Sequence, residues 1–319
     1  MKFSIIIPVY NVSDYLSEAL DSVKHQTFDD YEVIIVNDGS TDNSEQIIDT
    51  YVLNSKKFKK INIDNSGLGA ARNRGAVEAK GDYLIFFDSD DVLDTDLLYN
   101  LNKTIESNQS GDIDIVVFDY ADFEGEKHNV LKLHNFTENL ENYGPVAWNK
   151  IYSKSFWNYY NLKFPEGIKY EDTPLIHVAM GLSKNALKMV GGSGYFYRQN
   201  RKNSITGEAV NGDILLRFNA LKIMNGFIRS YQDHLAESGK LGFVYMKMGK
   251  ELIYLILMAL KNRVSKEEAY QLFRMVLSEP IKSNTFKLGG IKSKAALSVL
   301  YLYFYISYKL LPRDRKKYV

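Results

Sequence analysis

Three carboxylates within four positions, Asp88, Asp90 and Asp91, follow the unbroken apolar run Tyr83-Leu84-Ile85-Phe86-Phe87. An apolar run of this kind reads as a strand buried on both faces. A buried strand cannot carry charge in its middle, so the acids belong where the strand leaves the sheet. That is the edge at which open α/β sheets bind ligands. Asp88 and Asp90 are two positions apart and on extended chain face the same side. With no His or Cys nearby, two hard carboxylates suit Mg²⁺ or Mn²⁺ held jointly with substrate phosphates. The same acids also suit a plain strand end, with Asp94 or Thr95 capping the next helix and no metal involved.

Two further stretches carry chemistry. Pro8-Val9-Tyr10-Asn11 and Asn37-Asp38-Gly39-Ser40 each follow an apolar run, so they lie side by side at one sheet edge. There Asp38 can accept the ring N–H of a uracil, and backbone near Pro8 can complete the base edge. Asn, Asp and Gly are equally good turn residues, which is the plainer use of the second stretch. Gly67-Leu68-Gly69-Ala70-Ala71-Arg72-Asn73-Arg74-Gly75 puts a flexible turn at a helix N-terminus, which attracts anions. Arg72 and Arg74 add charge-assisted donors, and Arg72 is the one expected to face a pyrophosphate. Arg72 stands where a dinucleotide fingerprint needs its third glycine, and the stretch follows the third strand rather than the first. Both facts exclude an NAD site, and no GxxxxGK[ST] loop occurs.

The elements that must position these residues follow from periodicity. Strands are expected at Phe3–Val9, Tyr31–Val36, Ile61–Ile63, Tyr83–Phe87 and Ile113–Phe118. Helices between them begin at Ser13 as N-cap, at Asp42 or Ser44, after Gly67 and near Leu97. This alternation implies an α/β fold: a mostly parallel mixed sheet with helices on both faces. From about Tyr120 to Tyr143 the pattern breaks into a polar hairpin or loop. Trp148–Tyr152 and Tyr195–Tyr197 read as short strands, and a helix begins near Pro174. Beyond about Gly207 the periodicity is helical, over 214–230, 243–260, 267–277 and 295–311. The expected domains are therefore 1–206 and a helical C-terminal region, 207–319.

The chain has 319 residues, a formal net charge of +1 and no cysteine. Near-neutral charge argues against a nucleic-acid partner. Lack of cysteine excludes a disulfide framework and suits a reducing cytoplasm. The apolar start is too short before Pro8 for a signal peptide.

Four stretches in order, Ser4–Asn11, Val36–Asp42, Gly67–Gly75 and Phe87–Asp91, together resemble family 2 glycosyltransferases with the GT-A fold, over roughly residues 1 to 205. The resemblance implies inverting transfer of a sugar from a nucleotide diphosphate donor, usually UDP. It gives Asp38 the base and Asp90 the metal, with Asp88 nearer the ribose. Pro8, Tyr10, Asn11, Gly67, Arg72 and Ser89 complete the donor site, and Arg201 lies in a loop, 197–205, that closes over the diphosphate. Trp148, Asn149 and His177 fall on the acceptor side, and Glu171-Asp172 is the pair containing the catalytic base. Inverting transfer needs one carboxylate to take the acceptor proton, and Asp172 is the expected base, with Glu171 beside it. Asp172 or Thr173 also suits an N-cap, since Pro174 follows in the first turn.

The implied partners are a UDP-sugar and a glycan, lipid-linked or protein-linked acceptor in bacterial surface glycoconjugate synthesis. The Tyr-rich apolar stretch 295–311, with basic edges out to 317, suits a helix lying in the inner face of the cell membrane. It equally suits packing in a small core or a homo-oligomer contact. A nucleotide-sugar-binding partner protein without turnover is the alternative function, and it would have no need of a base.

Overall fold

The computed structural model describes residues 1–125, 129–136, 140, 143–200 and 212–261. The elements in chain order are β1 (Phe3–Val9), α1 (Ser13–Lys24), β2 (Tyr31–Asp38), α2 (Ser44–Asn54), β3 (Phe58–Ile63), α3 (Leu68–Glu78), β4 (Tyr83–Phe86), β5 (Val92–Leu93) and α4 (Leu97–Ser107). They continue as β6 (Ile115–Phe123), β7 (Val130–His134), β8 (Lys150–Ser153), α5 (Lys154–Tyr159), α6 (Asp172–Leu182), β9 (Ala186–Arg198), α7 (Gly212–Ser230), α8 (Gln232–Glu237) and α9 (Leu241–Lys261). Among the described residues all strands join one sheet in the order β3-β2-β1-β4-β8-β6-β9-β5, with β7 paired to β6.

The first four strands are parallel. β8 then inserts antiparallel between β4 and β6, so β6 points the same way as β4. The carboxyl end of β6 therefore lies on the same edge as the acids after β4. β1 and β2 are buried along their whole length, which explains their mostly apolar sequence; Ser4 and Glu32, polar residues inside the two runs, hydrogen-bond each other at 2.8 Å. α1 turns Leu16, Ala19, Leu20 and Val23 onto the sheet residues Ile5, Ile7, Val33 and Ile35. Each of these leucine, isoleucine and valine side chains contributes about 1.5–3 kcal/mol on burial. The expected GT-A-like mixed sheet flanked by helices is the architecture found.

Several local expectations change. Ser13 is the first helical residue of α1 rather than its cap, and its N–H is taken by Asp42 of the neighbouring loop. β8 starts at Lys150, leaving Trp148 and Asn149 in the turn before it. β9 is a 13-residue strand, because its neighbour β6 runs on to Phe123. The chain turns straight after β4, with the Asp91 N–H donating to the Asp88 carbonyl. The alternation argument for Asp88 and Asp90 therefore does not apply to them.

The chain divides into two compact units, Met1–Ile176 with Ser183–Gly207, and His177–Leu182 with Glu208–Val319. In the second, a Cβ on Gly181 would sit 2.3 Å from Val244 Cγ2 and 2.8 Å from Leu235 Cδ2. Glycine there lets the end of α6 pack directly on α8 and α9. No helix among the described residues is long and apolar enough to cross a membrane. The expected helices over 267–277 and 295–311 lie outside the described residues.

Candidate active site

At the carboxyl ends of β1 and β2 two loops are stitched together. Asn11 adopts a left-handed backbone, φ 50°, and its Oδ1 accepts the Thr41 N–H at 2.7 Å. The Asn11 N–H donates to Ser40 Oγ at 3.3 Å, and Val12 N–H donates to Ser44 Oγ at 3.2 Å. Asp42 accepts the N–H groups of Ser13 and Ser44 at 2.9 and 3.0 Å. Pro8 is buried within β1, whereas Tyr10 stands out into solvent. Asp38 is buried and accepts the N–H groups of Ser66 and Gly67 at 2.7 and 2.9 Å. Gly67, at φ 89°, caps α3 in a conformation that glycine alone adopts easily. The base-edge acid and the glycine turn, read separately from the sequence, are thus one hydrogen-bonded corner.

The first turns of α3 are organised around close approach. A Cβ on Gly69 would lie 2.3 Å from the Pro165 carbonyl oxygen. That glycine lets the 162–166 segment lie on the helix, where Asn73 Oδ1 accepts the Phe164 N–H and Asn73 Nδ2 donates to the Phe164 carbonyl, both at 2.9 Å. One turn away, Arg72 is fully enclosed. Its two terminal nitrogens reach Glu171 Oε1 at 2.5 Å and Asp88 Oδ1 at 2.7 Å, and its guanidinium lies 5.2 Å from the Phe164 ring centre. Burial alone would favour the neutral form, but Asp88, Glu171 and Asp172 more than offset it, so the group stays charged. Arg72 was expected to face a pyrophosphate. Here it is buried and given to two carboxylates, because the chain supplies both acids within its reach.

Arg72 thereby joins the turn after β4 to the N-terminus of α6. Glu171 is buried and Asp172 half-buried. Tyr170, just before them, adopts φ 63°, a left-handed conformation that a bulky residue holds only when its surroundings impose it. Burial, Glu171 and Asp88 push the Asp172 carboxyl up to about 7, against Arg72 and the Thr173 N–H, which pull it down. The Thr173 N–H donates to Asp172 Oδ1 at 2.7 Å. That bond is to the adjacent residue and Asp172 is itself the first residue of α6, so it is not the bond to the second or third helical N–H that a cap makes.

Sequence reasoning missed what stands behind the acids. Asp91 is buried; its carboxylate accepts the Tyr195 hydroxyl at 2.6 Å and the Arg198 N–H at 2.8 Å. Burial, then Asp90 and Asp88, push its carboxyl well above the usual range. Arg198 is buried and ion-paired with Glu18 of α1. No sequence signal marks these links, which span 104 and 180 residues of chain. Ser89 is buried in the same turn.

The acceptor-side expectations divide. Trp148 is buried between aromatic rings, stacked on Tyr195 at 4.5 Å and Tyr197 at 5.1 Å, with Tyr120 edge-on at 4.7 Å. Asn149 has no exposed surface. Lys150 Nζ donates to the Gly144 and Val146 carbonyls and to Asn149 Oδ1. This segment packs the site from within rather than presenting itself to a ligand. His177, in the second unit, is buried with Nε2 3.7 Å from Glu251 Oε1. Arg201 lies outside the described residues.

Five carboxylates, Asp88, Asp90, Asp91, Glu171 and Asp172, thus share this region with two guanidinium groups, Arg72 and Arg198. The described residues contain no cluster of three or more His, Cys, Asp or Glu side chains able to enclose a metal by themselves. The arrangement offers a carboxylate poised to take a proton, beside a surplus of negative charge.

Comparison with known proteins places this geometry. EpsJ of Bacillus subtilis, described as an uncharacterized glycosyltransferase, is 31% identical over 218 residues, 64% of this chain and 62% of that protein. TarS of Staphylococcus aureus, a poly(ribitol-phosphate) β-N-acetylglucosaminyltransferase, is 28% identical over 209 residues, 63% of this chain and 36% of its own. The chain thus spans less than two thirds of these relatives. Among solved structures, residues 1–349 of S. aureus TarS in complex with UDP-GlcNAc align with a TM-score of 0.61 at 19% identity, covering 97% of this chain and 92% of that one. The mannosyltransferase PcManGT of Pyrobaculum calidifontis, in complex with GDP-Man and Mn²⁺, aligns with a TM-score of 0.54 at 15% identity, covering 95% and 86%. At these identities the likeness establishes the GT-A fold. The family model for Glycosyl transferase family 2 matches residues 4–173, more than half of the sequence, and the chain belongs to that family.

Proposed function

We propose that the chain is an inverting glycosyltransferase that moves a sugar from a UDP-sugar to a hydroxyl of a glycan, lipid-linked or protein-linked acceptor in bacterial surface glycoconjugate synthesis. One observation carries this reading. A half-buried Asp172, pushed up to about 7, stands beside a Glu171 that Arg72 ties to Asp88. A carboxyl near neutral pH is suited to general-base work, and a binding-only protein gains nothing from one. The relatives support the donor class, since TarS is an N-acetylglucosaminyltransferase and its residues 1–349, which align with this chain, hold UDP-GlcNAc.

In the proposed reaction the acceptor oxygen bonds to the anomeric carbon from one face while the bond to the diphosphate oxygen breaks on the other. The bonding pair leaves with UDP, and Asp172 takes the acceptor's hydroxyl proton. Arg72 ties together Glu171 and Asp88, the two acids whose charge acts on that carboxyl. Asp38, Pro8, Tyr10, Asn11, Gly67 and Ser89 are the proposed donor residues. Asp90 and Asp88 are the residues that would hold Mn²⁺ or Mg²⁺. Two carboxylates with no third His, Cys, Asp or Glu grouped with them among the described residues fit a hard cation that completes its shell with substrate phosphates and water. When bound, the metal supplies positive charge to the leaving diphosphate.

The test is calorimetric titration of UDP with Mn²⁺ and then with EDTA, followed by a UDP-sugar screen on wild type and Asp172→Asn. Metal-dependent UDP binding with turnover lost in the variant is the expected result. UDP binding with no turnover of any sugar would favour the non-catalytic alternative. Catalytic and helical domains dividing near 206, and membrane contact through 295–317, belong to the same proposal. Liposome flotation with and without residues 295–319 tests the contact, and equal flotation would refute it.

A further inference from the structure

The carboxylate-bearing turn after β4 is held from behind by a residue expected in the 197–205 loop and found instead at the end of β9. Arg198, the last residue of β9, uses both its main chain and its side chain on that turn. Its N–H donates to Asp91 Oδ1 at 2.8 Å, and its Nε donates to the Asp90 carbonyl oxygen at 2.8 Å. The two terminal nitrogens reach outward, one to the Gly125 carbonyl at 3.0 Å and one to Glu18 Oε2 at 2.6 Å. The guanidinium carbon lies 4.5 Å from the Phe123 ring centre and 5.1 Å from that of Tyr15. Tyr195, three residues earlier on β9, holds the other oxygen of Asp91.

We propose that Arg198 is a positioning residue: with Asp91 and Tyr195 it locks the Asp88–Asp91 turn to β9, the β6–β7 hairpin and α1, and so fixes where the Asp88 and Asp90 carboxylates meet a cation and diphosphate. This deepens the reading given under Proposed function and rests on it. The physical need is plain. β4 ends at Phe86, so these acids sit on a turn without ladder hydrogen bonds of its own. A misplacement of about 1 Å in a group that must meet a ligand can cost on the order of 10²-fold. A lysine cannot reproduce the lock, because a point charge on a flexible stem cannot hold three acceptors in a fixed plane. A three-way fork at the junction of three elements is what a guanidinium does best.

The test compares the full-length protein with Arg198→Lys and Glu18→Gln, the latter altering only the outer, solvent-exposed partner. Two readouts are taken. Amide hydrogen exchange over 87–93 in metal-free protein should speed up by about tenfold in Arg198→Lys, the loss of about one charge-assisted hydrogen bond, and by less in Glu18→Gln. Exchange in β1 and β2 should stay as in wild type. The Mn²⁺ concentration that half-saturates UDP binding should rise in the same order, while UDP affinity in EDTA should not move. Unchanged exchange over 87–93, or exchange that rises equally throughout the sheet, would overturn the lock and leave Arg198 a packing residue. If wild type itself shows no metal-dependent UDP binding, the donor reading fails, but the exchange result still decides the lock.

Discussion

Two stretches of one sheet edge are built by different means. Where β1 and β2 end, the loops are joined by short polar side chains that accept backbone N–H groups: Asn11 to Thr41, Asp42 to Ser13 and Ser44, Asp38 to Ser66 and Gly67. Where β4 ends, the contacts are between charges, and they are buried: Arg72 with Asp88 and Glu171, and Asp172 crowded beside them. The first kind of bond contributes about 0.5–3 kcal/mol, the upper part where a carboxylate accepts, and its loss is local. The second kind leaves an uncompensated buried charge when one partner is removed. The first stretch holds a shape. The second holds an electrostatic imbalance in place, which is where perturbed pKa values and chemistry tend to be found.

The contrast predicts its largest effect at Asp172. Asp172→Asn should lower kcat by roughly 10²–10⁴ and leave UDP affinity unchanged. Stability should move the other way. The folded carboxyl sits at about 7, above the ordinary value of 3.8, so the fold binds this proton more tightly than the unfolded chain does. Its contribution is complete below the unfolded value and is lost as pH rises towards 7. The variant should therefore match wild type in Tm at about pH 4 and exceed it at about pH 8. A Tm gain together with a kcat loss marks a residue kept for chemistry. Arg72→Met should do the opposite to folding and cost about 3–5 kcal/mol, read from the urea midpoint, because Glu171 and Asp88 lose their partner. A cost no larger than that of a loop variant would erase the distinction between the two stretches.

A smaller and graded effect should appear with pH. Only the carboxylate form of Asp172 can accept a proton, so kcat/KM should climb with pH and level off above about 7. Below that point it should fall about tenfold per pH unit. The residual activity of Asp172→Asn should lack this slope. If the slope persists in the variant, another group carries the base.

Much of the first stretch was legible in the sequence, and less of the second. β1 was readable to the residue, because a fully buried strand announces itself as an apolar run, here interrupted by the buried Ser4, bounded by turn residues. The acids after Phe87 were readable for the same reason in reverse: charge cannot follow such a run without leaving the sheet. The antiparallel insertion of β8 between β4 and β6 was not. A strand buried on both faces has the same composition in either direction. Arg72 was visible as a cation, but its destination was not, since Glu171 lies 99 residues away. The pairing of Asp91 with Arg198 was not legible, because an acid and a base 107 residues apart carry no periodicity that joins them. Ser13 misled for a related reason: the N–H that marks the start of α1 is satisfied by Asp42, from another loop.

Asp42 gives the smallest and sharpest comparison. Its two carboxylate oxygens take one N–H each from the starts of α1 and α2, so Asp42→Ala should cost about 0.5–2 kcal/mol, the usual range for a lost cap. Burial tends to raise this carboxyl, but hydrogen bonds from Ser44 and Ser13 more than offset it and hold the pKa below the ordinary value. The sign is thus opposite to that of Asp172. The stabilisation is present above the ordinary carboxylate value and is lost as pH falls through the folded one. The gap in unfolding free energy between wild type and Asp42→Ala should therefore narrow in acid, while the gap for Asp172→Asn narrows in acid from the other side. In turnover assays Asp42→Ala should raise the donor KM, because the loops it joins carry Tyr10 and Asn11, and should leave kcat in place. A fall in kcat comparable to that of Asp172→Asn would mean that the two stretches act as one unit and that shape and charge at this edge cannot be separated.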